Sequence, residues 1–273
     1  MSLFASHFFV TGSLIRHYLC TNYQELTFAS LVNNEPMVLS NKNIVIIGGS
    51  SGIGLATAQL AYQQGATVTI TGTSTATVQQ AAQRIGPIAA YPLDITDEQA
   101  VHQFFDPFTD LDHVFIAAGG TKLGSIFEGT VADHAMPIQL RLLGIIHVVR
   151  AAAHKLRPGG SFTFTGGLST DRPVSGAWVS GIATAIAEQM ARVLALDLAP
   201  IRFNAVSPGY TDTPMWDRVL GDQREQVLAR VAQTLPVKRI AKPGEVARAV
   251  LFLMQNESVT GEVIHVDGGA RLV

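Results

Sequence analysis

The sequence predicts an α/β fold in which a parallel sheet is covered by helices on both faces, and three observations predict it. Short, continuous apolar runs recur along the chain, beginning with Ile44-Val45-Ile46-Ile47, as strands buried on both faces require. Stretches with helical spacing separate these runs, and such alternation builds right-handed βαβ units. A glycine-rich turn, Gly48-Gly49-Ser50-Ser51-Gly52-Ile53-Gly54, joins the first run to the first helical stretch.

The elements follow in order. After the glycine turn, a helix from Ile53 to Gln64 is closed by Gly65 at its C′ position. Thr67-Val68-Thr69-Ile70-Thr71 is β-branched throughout and reads as the second strand. Further strands are expected near Ile88–Tyr91, His113–Ala117, Ser161–Thr165, Ile201–Ala205 and Val263–Val266. Helices are expected near Asp97–Phe105, Pro137–Lys155, Trp178–Leu198 and Pro243–Met254. The stretch from Thr213 to Leu235 breaks this rhythm. An insertion there lies at the carboxyl end of the sheet, where ligands bind in open α/β folds, and reads as a substrate lid near 213–235 or as a longer surface connection. The expected architecture is a Rossmann-type doubly wound parallel sheet in a single domain over residues 37–273. Residues 1–36 stand outside the pattern as an N-terminal extension of unknown role, either idle in the fold or a small cap or oligomer arm.

Composition narrows the function classes. The chain has 273 residues, 47% of them hydrophobic, and a formal net charge of −2. That excludes disorder and leaves no basic block for nucleic acid or an anionic membrane. Cys20 is the only cysteine, so neither an intrachain disulfide nor a Cys-based zinc site can form; no metal is expected. In residues 1–36 the one Lys/Arg residue, Arg16, follows the apolar Phe8-Phe9-Val10, the wrong order for a secretory leader and too little charge for a mitochondrial one. No run reaches the roughly 18 apolar residues of a membrane span. A cytoplasmic location is expected.

A glycine turn between a buried strand and a helix lets backbone N–H groups and the positive end of the helix dipole approach a pyrophosphate. The turn resembles the Thr-Gly-x-x-x-Gly-Ile-Gly pattern of the short-chain dehydrogenase/reductase family, with Ile47 in place of the threonine. Three further segments resemble that family in the same order: Leu93-Asp94-Ile95-Thr96; Asn204-Ala205-Val206-Ser207-Pro208-Gly209 running on to Thr211, Asp212, Thr213 and Pro214; and Val259-Thr260-Gly261 with Val266-Asp267-Gly268-Gly269. The resemblance spans residues 43–270. It implies a nicotinamide dinucleotide held by Gly48, Ser50, Ser51, Gly52, Ile53, Gly54, Thr73, Ser74, Asp94, Ile95, Ala117, Ala118, Gly119, Pro208, Gly209, Thr211 and Thr213. Gly72 stands where an acidic ribose ligand would mark an NAD enzyme, and the hydroxyls of Thr73 to Thr75 follow it. NADP is the expected cofactor, with NAD as the alternative.

The resemblance fails at the chemistry. The family uses an Asn-Ser-Tyr-Lys tetrad, with Tyr-x-x-x-Lys on one helical face so that a cation lowers the phenol's pKa. Aligned through Leu196-Asp197-Leu198-Ala199-Pro200, those four positions fall on Arg141, Gly167, Trp178 and Ile182, with the 165–178 segment two residues short. No tyrosine lies between Tyr91 and Tyr210. Ser169 and Lys122 are the substitute catalytic candidates, with Thr165, Asp171-Arg172 and Tyr210 nearby. The expected function is an atypical NAD(P)(H)-dependent oxidoreductase acting by hydride transfer on a small carbonyl or conjugated substrate. The alternative is a catalytically silent dinucleotide-binding homologue, a sensor or assembly partner. The family resemblance also implies a homotetramer or homodimer. Gly144-Ile145-Ile146 and Ile182–Ala187 give their helices more than one apolar face.

Overall fold

A computed structural model describes residues 38–273; the expectations for residues 1–36 lie outside them. Seven strands form one sheet: β1 (Asn43–Ile47), β2 (Thr67–Gly72), β3 (Ala89–Pro92), β4 (Leu111–Ile116), β5 (Leu156–Thr165), β6 (Arg202–Pro208) and β7 (Val263–Val266). Their order is β3-β2-β1-β4-β5-β6-β7 and every pair is parallel. This is the expected doubly wound Rossmann-type sheet. Ile47 is level with Thr71 on one side and Ile116 on the other, so β1, β2 and β4 end together. The order reverses beside β1, which opens a crevice above those ends.

The period of two along the strands sets the two cores. Ile44 and Ile46 point to the face covered by α1 (Gly52–Gln63), α2 (Thr75–Ile85) and α8 (Pro243–Gln255). Val45 and Ile47 point to the other, covered by α3 (Glu98–Phe105), α4 (Val131–Ala152) and α5 (Trp178–Asp197). Helices α4 and α5 lie in stretches long and apolar enough to cross a membrane, Val131–Lys155 and Trp178–Asp197. The apolar content answers to the sheet: Ile145, Val148, Ala187 and Ala191 all join the core.

Helix α4 begins six residues before the expected Pro137. Thr130 caps it with a reciprocal capping box, Asp133 N–H donating to Thr130 Oγ1 at 3.2 Å and Thr130 N–H to Asp133 Oδ2 at 2.8 Å. Pro137 therefore sits inside the helix, not at its first turn, and removes one hydrogen bond that the cap and the packing outweigh. At the amino edge of the sheet, buried Arg202 donates to the carbonyls of Leu253 (2.7 Å), Met254 (2.8 Å), Val259 (3.1 Å) and Gly159 (3.3 Å). It ties β6 to the end of α8, to the first half of β5 and to the chain entering β7. The 213–235 stretch folds as α6 (Met215–Leu220), a 3₁₀ turn and α7 (Arg224–Thr234). Arg224 pins it by pairing with Asp212 and Asp217.

Candidate active site

A cavity of about 540 Å³ opens above the carboxyl ends of the strands. Its first wall is the glycine turn. Gly48 has φ +85°, and a Cβ on it would lie 2.7 Å from the Ala118 nitrogen. A Cβ on Gly54 would run into the Gly48 carbonyl. The turn is thus closed on itself and on the segment after β4, where Ala117 and Ala118 N–H both donate to Ile47 O at 2.8 and 3.0 Å. Ser51, the N-cap of α1, makes no side-chain cap, so the first-turn N–H groups face the cavity. This cradle fits a pyrophosphate.

The second wall comes from β2 and β3. Gly72 and Thr73 line it, with no carboxylate at the end of β2. Ser74 is not among the lining residues; it is the N-cap of α2, its Oγ accepting from Thr77 N–H at 3.5 Å. Asp94 lines the cavity with Ile95, and one of its oxygens accepts from Thr96 N–H and Oγ1 at 2.9 and 2.8 Å, leaving the other free. Ala117, Ala118, Gly119, Pro208, Gly209, Thr211 and Thr213 also line the cavity. Gly209 is required by close approach, since a Cβ would lie 2.7 Å from Asp267 Cα.

The end of the cavity near β5 differs from expectation. Helix α5 presents Ser180 and Thr184, four residues apart on one face, to the cavity. Trp178 and Ile182 do not line it: Ile182 is 46% exposed, and Trp178 packs its ring on His134 with centroids 5.1 Å apart. A helix turns about 100° per residue, so a register two residues out points a pair to the far side. Gly167 does line the cavity, packed so close to Thr184 that a Cβ would lie 2.8 Å from its methyl. Thr184 Oγ1 donates to Ser180 O at 2.9 Å and accepts from Thr170 at 2.9 Å. The Ser169 and Ser180 hydroxyls line the space and make no side-chain hydrogen bond within the described residues. Thr165 donates to Ile116 O at 3.0 Å.

The remaining candidates fall both inside and outside the cavity. Lys122 is not among the lining residues; its ammonium sits 3.9 Å from Asp133, at the start of α4. Asp171 turns away from Arg172 to His265 Nε2 at 2.6 Å. Tyr210 lines the cavity and stacks on Trp216, centroids 5.4 Å apart and planes within 17°. Trp216, Met215, Arg218, Leu220 and Val227 bring the 213–235 segment onto the cavity. No Lys, His or Cys among the described residues lines it. Among the described residues, no cluster of three His, Cys, Asp or Glu could hold a metal.

Two charged residues that the sequence reading left unpaired meet behind the β5 end. Arg141, on α4, lines the cavity and is 7% exposed, its Nη1 donating to the Thr165 carbonyl. Glu188, on α5, is 1% exposed and accepts from Gly167 N–H at 3.1 Å. Burial lowers the guanidinium pKa to about 10, and the Glu188 charge opposes that shift. A lone acid within the apolar run Ala183–Met190 was the one sequence signal for it.

Comparison with known proteins gives matches over most of the described residues. A family model described as enoyl-(acyl carrier protein) reductase matches residues 48–271. A short-chain dehydrogenase/reductase of Stachybotrys chlorohalonatus, ATR9, is 32% identical over 86% of this chain and 98% of its own. The 3-oxoacyl-[acyl-carrier-protein] reductase FabG of Thermotoga maritima is 31% identical over 85% and 99%. Among solved structures, a small-chain dehydrogenase in complex with NADPH superposes with a TM-score of 0.75 at 31% identity, over 86% of this chain and 100% of that one. The MalC reductase/Diels-Alderase of Malbranchea aurantiaca gives 0.80 at 29%, over 86% and 98%.

Proposed function

Since this chain belongs to the short-chain dehydrogenase/reductase family, we propose that it is an atypical NADP(H)-dependent oxidoreductase acting on a small, conjugated or otherwise activated acceptor. The observation that carries this reading is the face of α5: Ser180 and Thr184, four residues apart, line the cavity with Gly167, and we assign to these three the positions of the family's tyrosine, lysine and serine. Assigning the pair to 180 and 184 also removes the two-residue shortfall between 165 and 178 that the 178 and 182 placement demanded.

When bound, a nicotinamide dinucleotide supplies or accepts a hydride. The glycine turn and the α1 N-terminus would hold its pyrophosphate, Asp94 its adenine side, and Pro208 to Thr213 its nicotinamide side. The missing carboxylate after β2 supports the 2′-phosphorylated form, and a neighbour of this fold carries NADPH.

The chain's own residues then limit the acceptor. A serine hydroxyl with no lysine or histidine beside it among the described lining residues can hydrogen-bond a developing alkoxide but cannot readily protonate it. A positioned acid is worth about 10²–10⁴-fold, whereas orientation supplies roughly 7–11 kcal/mol. An acceptor that delocalises its own charge, such as an α,β-unsaturated carbonyl, does without that acid. Ser169 and Ser180 orient it, while Trp216 and Met215 close the apolar side against water.

The test is a panel of simple ketones and aldehydes beside α,β-unsaturated carbonyls, with NADPH. Reduction confined to the conjugated set, weakened by Ser180→Ala or Ser169→Ala and indifferent to Trp178→Phe, is expected. Ordinary rates on simple ketones would refute it. The absence of a lysine or histidine from the cavity also favours a second reading, a silent homologue that binds dinucleotide; it predicts binding with no turnover across the panel.

A further inference from the structure

The buried Arg141 has no counterpart in the chemistry above, and its surroundings give it a use. Its guanidinium spans the ends of two strands, pressed against Gly119 after β4 and bonded to the carbonyl of Thr165 on β5. A side chain at Gly119 would have to displace the guanidinium, which a Cβ there would meet. Glu188 lies behind it, filling the space a Gly166 side chain would take, and does not line the cavity. Nε of Arg141 and the second oxygen of Glu188 are both buried without a partner. The two residues do not close a direct ion pair within 4.0 Å. The cavity therefore meets the cation at its wall and the anion only at a distance.

We infer that Arg141, backed by Glu188, makes the cavity discriminate between redox states of the dinucleotide, favouring the reduced form. This rests on the reading above, in which Pro208 to Thr213 hold the nicotinamide side; the Pro208 carbonyl lies 3.9 Å from where a Cβ on Gly167 would stand, beside the Thr165 carbonyl that Arg141 bonds. The oxidised ring carries a full positive charge and the reduced ring is neutral, while the rest of the molecule is the same. A buried guanidinium at this end of the cavity repels only the oxidised ring. At the effective dielectric of about 20 that describes such sites, that repulsion, partly offset by Glu188, weakens the oxidised form on the order of tenfold. Asp94, the one acid on the lining among the described residues, lies at the adenine end in this reading and does not cancel this field. The oxidised dinucleotide is accordingly held less tightly than the reduced one.

The experiment measures affinities and needs no substrate. NADPH binding is followed by nicotinamide fluorescence at pH 7.5, and NADP⁺ by its competition with NADPH. Wild type is expected to bind NADP⁺ at least tenfold more weakly. Glu188→Gln keeps an acceptor for the Gly167 N–H but strips Arg141 of its countercharge, so the ratio widens by at least threefold. The double variant Arg141→Met/Glu188→Gln removes both charges together and brings the ratio to within about threefold of unity. A purely structural role would weaken both forms alike. Equal affinities in wild type, or a ratio unchanged within twofold in Glu188→Gln, overturn the inference while leaving the dinucleotide site standing. If neither form binds wild type, the dinucleotide reading falls, and the inference falls with it. Should the double variant not fold, the direction of change in Glu188→Gln decides alone.

Discussion

His113 gives the sharpest stability prediction. It lies on β4, 4% exposed, with Nδ1 2.9 Å from Ser161 Oγ. Burial, aided by the Arg202 charge and opposed by Asp112, lowers its pKa from 6.5 to about 3. The imidazole is therefore neutral in the folded protein at neutral pH. The unfolded chain binds a proton there below pH 6.5 and the folded chain does not until near pH 3, so stability is complete above 6.5 and falls with pH between the two. At pH 4.5 the chain stands two units below the unfolded value, and at 1.36 kcal/mol per unit the loss is about 2–3 kcal/mol. The assay is urea unfolding at pH 7.0 and 4.5, at fixed protein concentration, for wild type and His113→Asn, which keeps a hydrogen-bonding group for Ser161. Wild type should lose about 2–3 kcal/mol more than the variant on acidification. Equal losses would mean that His113 is not held neutral.

Gly54→Ala places a methyl against the Gly48 carbonyl, and backbone cannot give way as a side chain can. Dinucleotide binding should fall at least tenfold in a fluorescence titration, with a stability loss of about 1–3 kcal/mol by thermal melting. Arg202→Met abandons the four carbonyl acceptors at the amino edge of the sheet and should cost about 3–5 kcal/mol in denaturant unfolding while leaving dinucleotide affinity within twofold. Leu142, Leu143, Ile182, Val193 and Leu196 are exposed on α4 and α5, so light scattering at micromolar concentration should give a mass of two or four chains. A single-chain mass would remove the proposed oligomer.

The strands were legible because a doubly covered sheet leaves nowhere for polar side chains: Ile44 to Ile47 serve two cores at once. The glycine turn was legible for a different reason, since close backbone approach at Gly48 and Gly54 tolerates no other residue. Pro137 misled because a proline is expected in a first helical turn, whereas the Thr130–Asp133 box had already started the helix. Ser74 was read as a ligand hydroxyl, but a serine before a helix is equally suited to capping it, and does so here. The α5 pair shows the firmest limit. Spacing of four fixes that two residues share a face and is silent on which face, so Ser180 and Thr184 emerged only once the helix was placed against the cavity. Glu188 and Arg141 lie 47 residues apart in sequence, and no local pattern pairs them; the fold does, through Gly119, Thr165 and Gly167.

The central claim is that the crevice above β1, β2 and β4 is a nicotinamide dinucleotide site with no acidic ribose ligand after β2. Its most direct test is a fluorescence titration of the protein with NADPH and, separately, NADH. Saturable binding of one NADPH per chain, tighter than NADH, is the predicted result. Binding of NADH as tight as NADPH would contradict the assignment of the 2′-phosphate, and failure of both to saturate would contradict the site itself.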